Sequence, residues 1–175
     1  MDNLSPSLLG GFVLVRGYGP IDLVKIPPPE DLWCTIVRPH IEIRTKESRQ
    51  ALPKQVPLKD VVTQTGNAAG LIAGLLTSNY GLIGRSLHDV IAEPARGPMI
   101  PGFQAMKEAA MRAGALGCSI SGSGPSVFAL SHGKKTADET CLAMSEALDA
   151  IGCAHSRSVS LISPVGARLC SEAQP

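Results

Sequence analysis

Apolar and polar positions along the chain divide it into short strands and amphipathic helices. Two apolar stretches, residues 8–15 and 21–26, surround a Tyr18-Gly-Pro turn and predict a β-hairpin, with a bulge or a close backbone approach at Gly10 and Gly11. Beyond three consecutive prolines, short apolar runs predict strands, and apolar positions spaced by three or four predict helices. The predicted strands are residues 32–37, 117–121, 126–130 and 156–162, and the predicted helices are residues 46–52, 58–78, 85–92, 101–113 and 134–150.

The order of these elements after residue 28 is strand, helix, inserted helices, strand, strand, helix, strand. It predicts an α+β fold, a ferredoxin-like βαββαβ domain with inserted helices. Right-handed crossovers would place both long helices on one face of a four-stranded antiparallel sheet. Residues 1–28 do not fit this unit, and we interpret them as a loop and remnant β-hairpin from the end of another domain. We therefore predict two parts, residues 1–28 and 29–175.

Three glycines of the long predicted helix, Gly66, Gly70 and Gly74, share one face because they lie four residues apart. A glycine in a helix interior costs about 1 kcal/mol relative to alanine, so the groove should accommodate something. A tightly packed neighbouring element is the usual occupant, and a ligand is the alternative.

Composition narrows the class of protein. A hydrophobic content of 44% with mixed charge indicates a globular chain rather than a disordered one. The net charge of +1 and the 3% aromatic content give no sign of a nucleic acid or a membrane as a partner. The cysteines and histidines show no metal-ligand spacing, and we interpret the cysteines as reduced packing residues. Without a signal sequence or an apolar run near the ~20 residues of a membrane span, we expect a cytoplasmic location.

The most distinctive stretch lies between the two central predicted strands, at residues 121–126, which we call the glycine loop. Gly122 and Gly124 permit backbone conformations closed to other residues, and Ser121, Ser123 and Ser126 add hydroxyl groups. The amide N–H groups of such a loop can converge on an anion. The alternative is an ordinary hairpin turn, since the loop lacks the lysine of a Walker A loop and connects two strands.

Three further polar groups are candidates for chemistry: Asp2 with Asn3, Arg49, and Arg96. Arg96 follows Glu93-Pro-Ala and precedes Gly-Pro, so prolines stiffen the segment on both sides. A guanidinium held in this way suits bidentate capture of a carboxylate or phosphate. For each arginine the alternative is a solvated surface charge or a structural ion pair.

Together these motifs resemble one family. Residues 117–130 resemble the third, C-terminal signature of the GHMP small-molecule kinases. Within that superfamily, three other segments are similar to the homoserine kinases. They are Asp2-Asn-Leu-Ser-Pro-Ser-Leu-Leu-Gly-Gly11, the segment from Thr45 to Pro53, and Glu93-Pro-Ala-Arg96 with Ile100-Pro-Gly-Phe103. The resemblance covers essentially the whole chain up to Pro164.

The resemblance implies transfer of the γ-phosphoryl group of ATP to the side-chain hydroxyl of L-homoserine, in threonine biosynthesis. Arg49 and Arg96 would hold the substrate carboxylate. Asn3 would lie beside the substrate hydroxyl and act catalytically by positioning, with Asp2 on the same wall. Ser121, Gly122, Ser123, Gly124 and Ser126 would brace the ATP phosphate loop.

One departure from the family pattern is large. The main ATP loop of the superfamily, of the type Pro-x-x-x-Gly-Leu-Gly-Ser-Ser-Ala, does not occur in the sequence, and neither does the acidic ligand for Mg²⁺ that the family carries. We therefore expect ATP and Mg²⁺ to be bound mainly by residues outside this chain, and the chain alone to be inactive. We also expect a homodimer or association with an N-terminal half.

Two other functions remain open at this point. One is a non-catalytic ferredoxin-like module that binds a small molecule such as an amino acid. The other is a GHMP kinase for another substrate, such as mevalonate or a sugar, although two arginines suit homoserine better than a neutral sugar. An RNA-binding βαββαβ domain is disfavoured because its central strands would offer only Trp33 and Phe128 as aromatic residues.

Overall fold

A computed structural model describes residues 4–169 of the chain. The candidate residues Asp2 and Asn3 lie outside the described residues. The chain divides into two compact units, one made of Met1–Pro28 with Ile162–Pro175 and the other of Pro29–Leu161. We call them the terminal unit and the central unit. The assignment of residues 1–28 and 29–175 to two domains stays a prediction.

The terminal unit contains α1 (Leu4–Leu9), β1 (Phe12–Tyr18) and β2 (Ile21–Ile26). The predicted hairpin is confirmed, since β1 and β2 pair antiparallel. Its first strand begins at Phe12 and not at residue 8, because Gly10 and Gly11 adopt φ angles of 71° and 66°. This left-handed backbone breaks an extended strand, and the preceding apolar residues form α1 instead.

Residues after 161 return to the terminal unit. The N–H of Gly11 donates to the carbonyl oxygen of Ser163 at 2.7 Å, and the N–H of Ala167 donates to that of Ser7 at 2.9 Å. A side chain at Gly10 would lie 2.4 Å from the backbone of Val165, so glycine is required for this close approach.

The central unit carries the sheet. In chain order its elements are β3 (Leu32–Pro39), α2 (Thr45–Gln50), α3 (Leu58–Leu76), α4 (Tyr80–Ser86), α5 (Glu93–Arg96), a 3-10 turn (Gly97–Met99), α6 (Phe103–Arg112), β4 (Gly117–Ile120), β5 (Val127–His132), α7 (Lys134–Asp149) and β6 (His155–Leu161). The strand order is β4-β5-β3-β6, and every pairing is antiparallel. This topology confirms the α+β, ferredoxin-like fold.

The core of the central unit lies between the sheet and two helices. Side chains of Val37, Met106, Val127, Met144 and Leu148 are completely buried there. α7 packs on β3, β5 and β6, and α6 packs beside it against β4. We expected the long helix 58–78 to pack on the same face of the sheet as the helix 134–150. α3 packs chiefly on α4 instead.

The second inserted helix lies earlier than predicted. The carboxamide oxygen of Asn79 accepts the N–H of Leu82 at 3.0 Å, so α4 begins at Tyr80 and ends at Ser86, where we expected a helix over residues 85–92. In the following loop, the Asp89 carboxylate accepts the N–H groups of Ile91 and Ala92, both at 2.8 Å. The chain then forms the short helix α5, where we expected a loop.

The glycine face of α3 is mainly a packing surface. A Cβ atom at Gly70 would lie 2.5 Å from the hydroxyl oxygen of Ser86, and one at Gly74 would lie 2.9 Å from Ile83. Both contacts are with α4 or its end, which confirms the packing interpretation for these two positions. Around Gly66, in contrast, nothing lies within 4 Å of such an atom.

The cysteines among the described residues are free thiols, and Cys118 and Cys141 are buried. Burial raises the pKa of Cys34 to about 11 and that of Cys118 to about 12. Both therefore stay neutral near pH 7 and act as packing residues. No helix within residues 4–169 is long and apolar enough to cross a membrane.

Candidate active site

Arg96 joins three segments of the central unit. Its Nη1 donates to the carbonyl oxygen of Gly122 in the glycine loop at 2.8 Å, and its Nε donates to the carbonyl oxygen of Ser48 in α2 at 3.3 Å. The guanidinium is half-buried. Because Arg96 is the last residue of α5, these two bonds connect α5, α2 and the glycine loop at one point.

The glycine loop is a tight connection between β4 and β5. The N–H of Ser121 donates to the carbonyl oxygen of Ser126 at 2.8 Å, and the N–H of Gly124 donates to that of Ser121 at 3.0 Å. Gly122 and Gly124 have φ angles of 60° and 78°, which only glycine adopts readily. The loop is therefore a hairpin turn, as the alternative interpretation predicted. Its backbone conformation also requires glycine at two positions.

Ser48 is a site residue that the sequence analysis missed. Its side chain is fully buried, and its hydroxyl donates to the carbonyl oxygen of Ser123 at 3.0 Å. Ser48 thereby fastens α2 to the glycine loop and sets the position of the neighbouring Arg49. Its only signal in the sequence is a small polar residue beside a candidate arginine.

Several groups of this site keep unused hydrogen-bonding capacity. Within residues 4–169, the N–H groups of Gly122 and Ser123 have no hydrogen-bond acceptor, and the side chain of Arg49 is exposed and has no partner. The same part of the chain offers no acceptor to Nη2 of Arg96. Unpaired amides and guanidinium groups at one place can bind carboxylate or phosphate oxygens.

A mostly buried ion pair lies behind Arg96, one turn earlier in α5. Glu93 pairs with Lys107 of α6, and its other carboxylate oxygen accepts the hydroxyl of Ser119 in β4 at 2.8 Å. Only 11% of the Glu93 side chain and 20% of the Lys107 side chain are exposed. Glu93 lies in the segment that carries Arg96, but its position in the sequence predicts no role for it.

A cavity of about 620 Å³ lies on the other side of this segment. Its described lining includes Glu93 but neither Arg49, Arg96 nor a residue of the glycine loop. The lining residues are His88, Asp89, Val90, Glu93, Pro94, Gly97, Pro98, Ile100, Gly102, Phe103, Gln104 and Ala105. Among the described residues, Arg49, Arg96 and the glycine loop therefore lie outside the lining of this cavity.

The structure thus brings Arg96 and the glycine loop into direct contact and ties α2, with Arg49, to the same loop. Asp2 and Asn3 lie outside residues 4–169. Among those residues, no group of three or more His, Cys, Asp or Glu side chains is placed to hold a metal ion.

Comparison with known families first defines the class. Residues 71–150 match the family model described as GHMP kinases C terminal. These residues lie in the central unit, which is therefore similar to a GHMP kinase C-terminal domain, in agreement with the topology and the glycine loop.

Individual relatives define the branch of that class. The chain is similar to homoserine kinases, with 58% identity over 83% of its length to the protein of Chlorobium phaeovibrioides, and 50% identity over 97% to that of Chlorobaculum tepidum. The crystal structure of homoserine kinase from Cytophaga hutchinsonii superposes with a TM-score of 0.92 and 53% identity, covering 94% of this chain and 52% of that one. The chain spans about half the length of the curated relatives it matches, 46% and 53% of the two named here.

A more distant likeness supports the fold alone. Mevalonate kinase of L. major superposes with a TM-score of 0.64 at 18% identity, over 90% of this chain and 51% of that one. The family match and the relatives of 50–58% identity, by contrast, confirm the resemblance to GHMP kinases and, within them, to part of the homoserine kinases.

Proposed function

We propose that this chain is part of a homoserine kinase, which uses ATP to phosphorylate the side-chain hydroxyl of L-homoserine and forms O-phospho-L-homoserine. The observation that carries the proposal is the 50–58% identity to homoserine kinases over 83–97% of the chain. The site geometry supports it because Arg96 and Arg49 are placed on tethered segments with guanidinium donors unused.

In this proposal the two arginines hold the substrate carboxylate. Arg96 has its Nη1 and Nε engaged by backbone carbonyls, so its Nη2 can be presented to a ligand with little further loss of conformational freedom. Arg49 adds a second positive charge from α2. Charge-assisted bonds of this kind are about twice as strong as neutral ones, which favours an amino-acid substrate over a neutral sugar.

The glycine loop would support the phosphate end of the reaction. The N–H groups of Gly122 and Ser123 and the hydroxyls of Ser121, Ser123 and Ser126 can face anionic oxygens. ATP would supply the transferred phosphoryl group, and the protein's contribution would be positioning and charge stabilisation. Asn3 beside the hydroxyl and Asp2 on the same wall belong to this proposal, as does Mg²⁺, with the main ATP-binding residues outside this chain. A cytoplasmic location goes with it.

A chimeric enzyme tests the proposal. This chain replaces the matching residues of the Chlorobaculum tepidum homoserine kinase, and ADP release is followed in a coupled assay. We expect turnover with L-homoserine that exceeds turnover with R-mevalonate or galactose by at least about tenfold, because carboxylate and ammonium recognition together distinguish an amino acid. A folded chimera that prefers mevalonate or a sugar would contradict the substrate assignment.

The same assay on the 175-residue chain alone is expected to show no homoserine-dependent ADP formation. The reason is that the sequence contains no main ATP loop. Homoserine-dependent turnover by the purified chain would refute this prediction. Titration calorimetry of the chain with homoserine serves as the control. Binding of homoserine without turnover would agree with a preformed half-site. If the chimera also showed no ATP-dependent turnover, the same binding would agree with a non-catalytic binding module.

We also propose that the β1–β2 hairpin is covered by a second copy of the chain or by an N-terminal half. The hairpin is a two-stranded sheet, and it exposes 67% of Tyr18, 57% of Ile21 and 42% of Val24. Two strands alone are marginally stable in water, and clustered apolar side chains favour association. Size-exclusion chromatography with light scattering should give a mass above that of one chain. A monodisperse monomer without a bound partner would count against association.

A further inference from the structure

We infer that Glu93 and Lys107 are positioning residues for Arg96, and that they act through the short helix α5. The inference concerns a pair of residues to which the proposed function assigns no role. Its relevance to substrate binding rests on that proposed function, whereas its structural part can be tested without substrate.

α5 is too short to be a stable helix on its own. It has four residues, and a single helical turn is not stable in water without external contacts. Whatever fixes α5 must therefore come from its neighbours. Arg96 is its last residue, so the placement of the guanidinium depends on those neighbours.

The contacts of α5 with the sheet and with α6 converge on Glu93. One of its carboxylate oxygens pairs with Lys107 of α6, and the other accepts the Ser119 hydroxyl of β4. Both oxygens are thus engaged, and α5 is connected at its first residue to two elements of the core.

Lys107 also supports the turn that follows Arg96. Its ammonium nitrogen lies 6.0 Å from the centre of the Phe103 ring. The same ring packs under Gly97, where an added Cβ would lie 2.9 Å from it. Lys107 therefore pairs with Glu93 at the start of the segment 93–97 and lies near the Phe103 ring that packs on Gly97 at its end.

The surroundings make loss of one partner costly. The side chains of Glu93 and Lys107 are largely buried, and the adjacent Cys118 thiol has its pKa raised to about 12 by burial, with Lys107 opposing and Glu93 adding to the rise. Without Lys107, the Glu93 carboxylate would be a buried charge with no ion-pair partner, which is unfavourable unless water can hydrate it. Because α5 is the least stable element in contact with it, we expect α5 to move outward and carry Arg96 away from Ser48 and Gly122.

The test observes Arg96 directly. In the 175-residue chain labelled with ¹⁵N-arginine, the Nε–H of Arg96 gives its own NMR signal, assigned by its loss in Arg96→Lys. That hydrogen is bonded to the Ser48 carbonyl, so it should exchange slowly with water. In Lys107→Met we expect exchange at least about tenfold faster and a shifted signal, because local opening exposes the bond.

Matched variants separate positioning from general stability. Lys135→Met removes a lysine that is 89% exposed and forms a surface pair with Glu139, and it should leave the Arg96 signal unchanged. Lys107→Arg keeps the charge and should restore most of the protection. The double variant Glu93→Gln with Lys107→Met leaves no unpaired buried carboxylate, so it should release Arg96 less than Lys107→Met alone, because only the contact of residue 93 with α6 is lost.

The inference is overturned if Lys107→Met and the double variant lower the urea midpoint but leave the Arg96 Nε–H signal and its exchange unchanged. Should Lys107→Met unfold the chain, Ser119→Ala is measured instead, since it removes one hydrogen bond from Glu93. An unchanged Arg96 Nε–H signal with unchanged exchange in Ser119→Ala would then overturn the inference. Because no substrate is present, this result is independent of whether the chimera phosphorylates homoserine. In the chimera, positioning predicts a rise in the KM for homoserine that is larger than any rise in the KM for ATP, whereas lost stability alone would lower kcat.

Discussion

Replacing Arg96 by alanine in the chimeric kinase is expected to raise the KM for L-homoserine about a hundredfold, or about 2.7 kcal/mol in binding free energy. The substitution removes the guanidinium proposed to face the substrate carboxylate. It also removes the hydrogen bonds to the carbonyl oxygens of Ser48 and Gly122, so α2 and the glycine loop are no longer connected through one side chain. The KM is measured by homoserine titration in the coupled ADP assay at saturating ATP.

Three variants serve as comparisons for Arg96→Ala. Arg96→Lys keeps the charge but not the planar geometry that reaches both carbonyls, so it should recover only part of the loss. Arg49→Ala should have a smaller effect, about tenfold, because Arg49 is exposed and its charge is screened. Arg112→Ala removes a surface arginine, 73% exposed, and should change nothing. An unchanged KM in Arg96→Ala would remove Arg96 from the substrate site.

Gly84→Ala is expected to lower the free energy of unfolding of the chain by about 2–3 kcal/mol. A Cβ atom at Gly84 in α4 would lie 2.5 Å from the carbonyl oxygen of Leu116, directly before β4. The methyl group would meet a backbone carbonyl, so no side chain can rotate away to make room, and α4 must move away from the segment that leads into β4. Urea unfolding followed by circular dichroism gives the change.

Gly66→Ala is the matched control, since it makes the same substitution in the interior of a helix. Nothing lies within 4 Å of the added methyl group, so only helix propensity acts, and the chain should become more stable by up to about 1 kcal/mol. Equal effects of the two substitutions would show that packing of α4 against the sheet does not decide the result.

Local patterns predicted most of the fold. The apolar runs of β3 and β5 agree with the structure because both strands lie in the centre of the sheet, and the helical period of α7 agrees because one face of that helix is buried. The errors occur where two local signals compete. The Asn79 cap begins α4 earlier than the apolar pattern indicated, and Gly10 with Gly11 ends α1 before the first strand begins.

The sequence by itself determined the α+β class, the two arginine segments, the glycine loop and the kinase resemblance, because each of these is written in neighbouring residues. Only the tertiary structure decided what those segments contact. Arg96 reaches Gly122 across 26 residues and Ser48 across 48, and Ser48 reaches Ser123 across 75. The Glu93 contacts with Lys107 and Ser119 are likewise distant in the chain. No spacing rule encodes such pairs, since they form only when the sheet and its helices bring separate segments together.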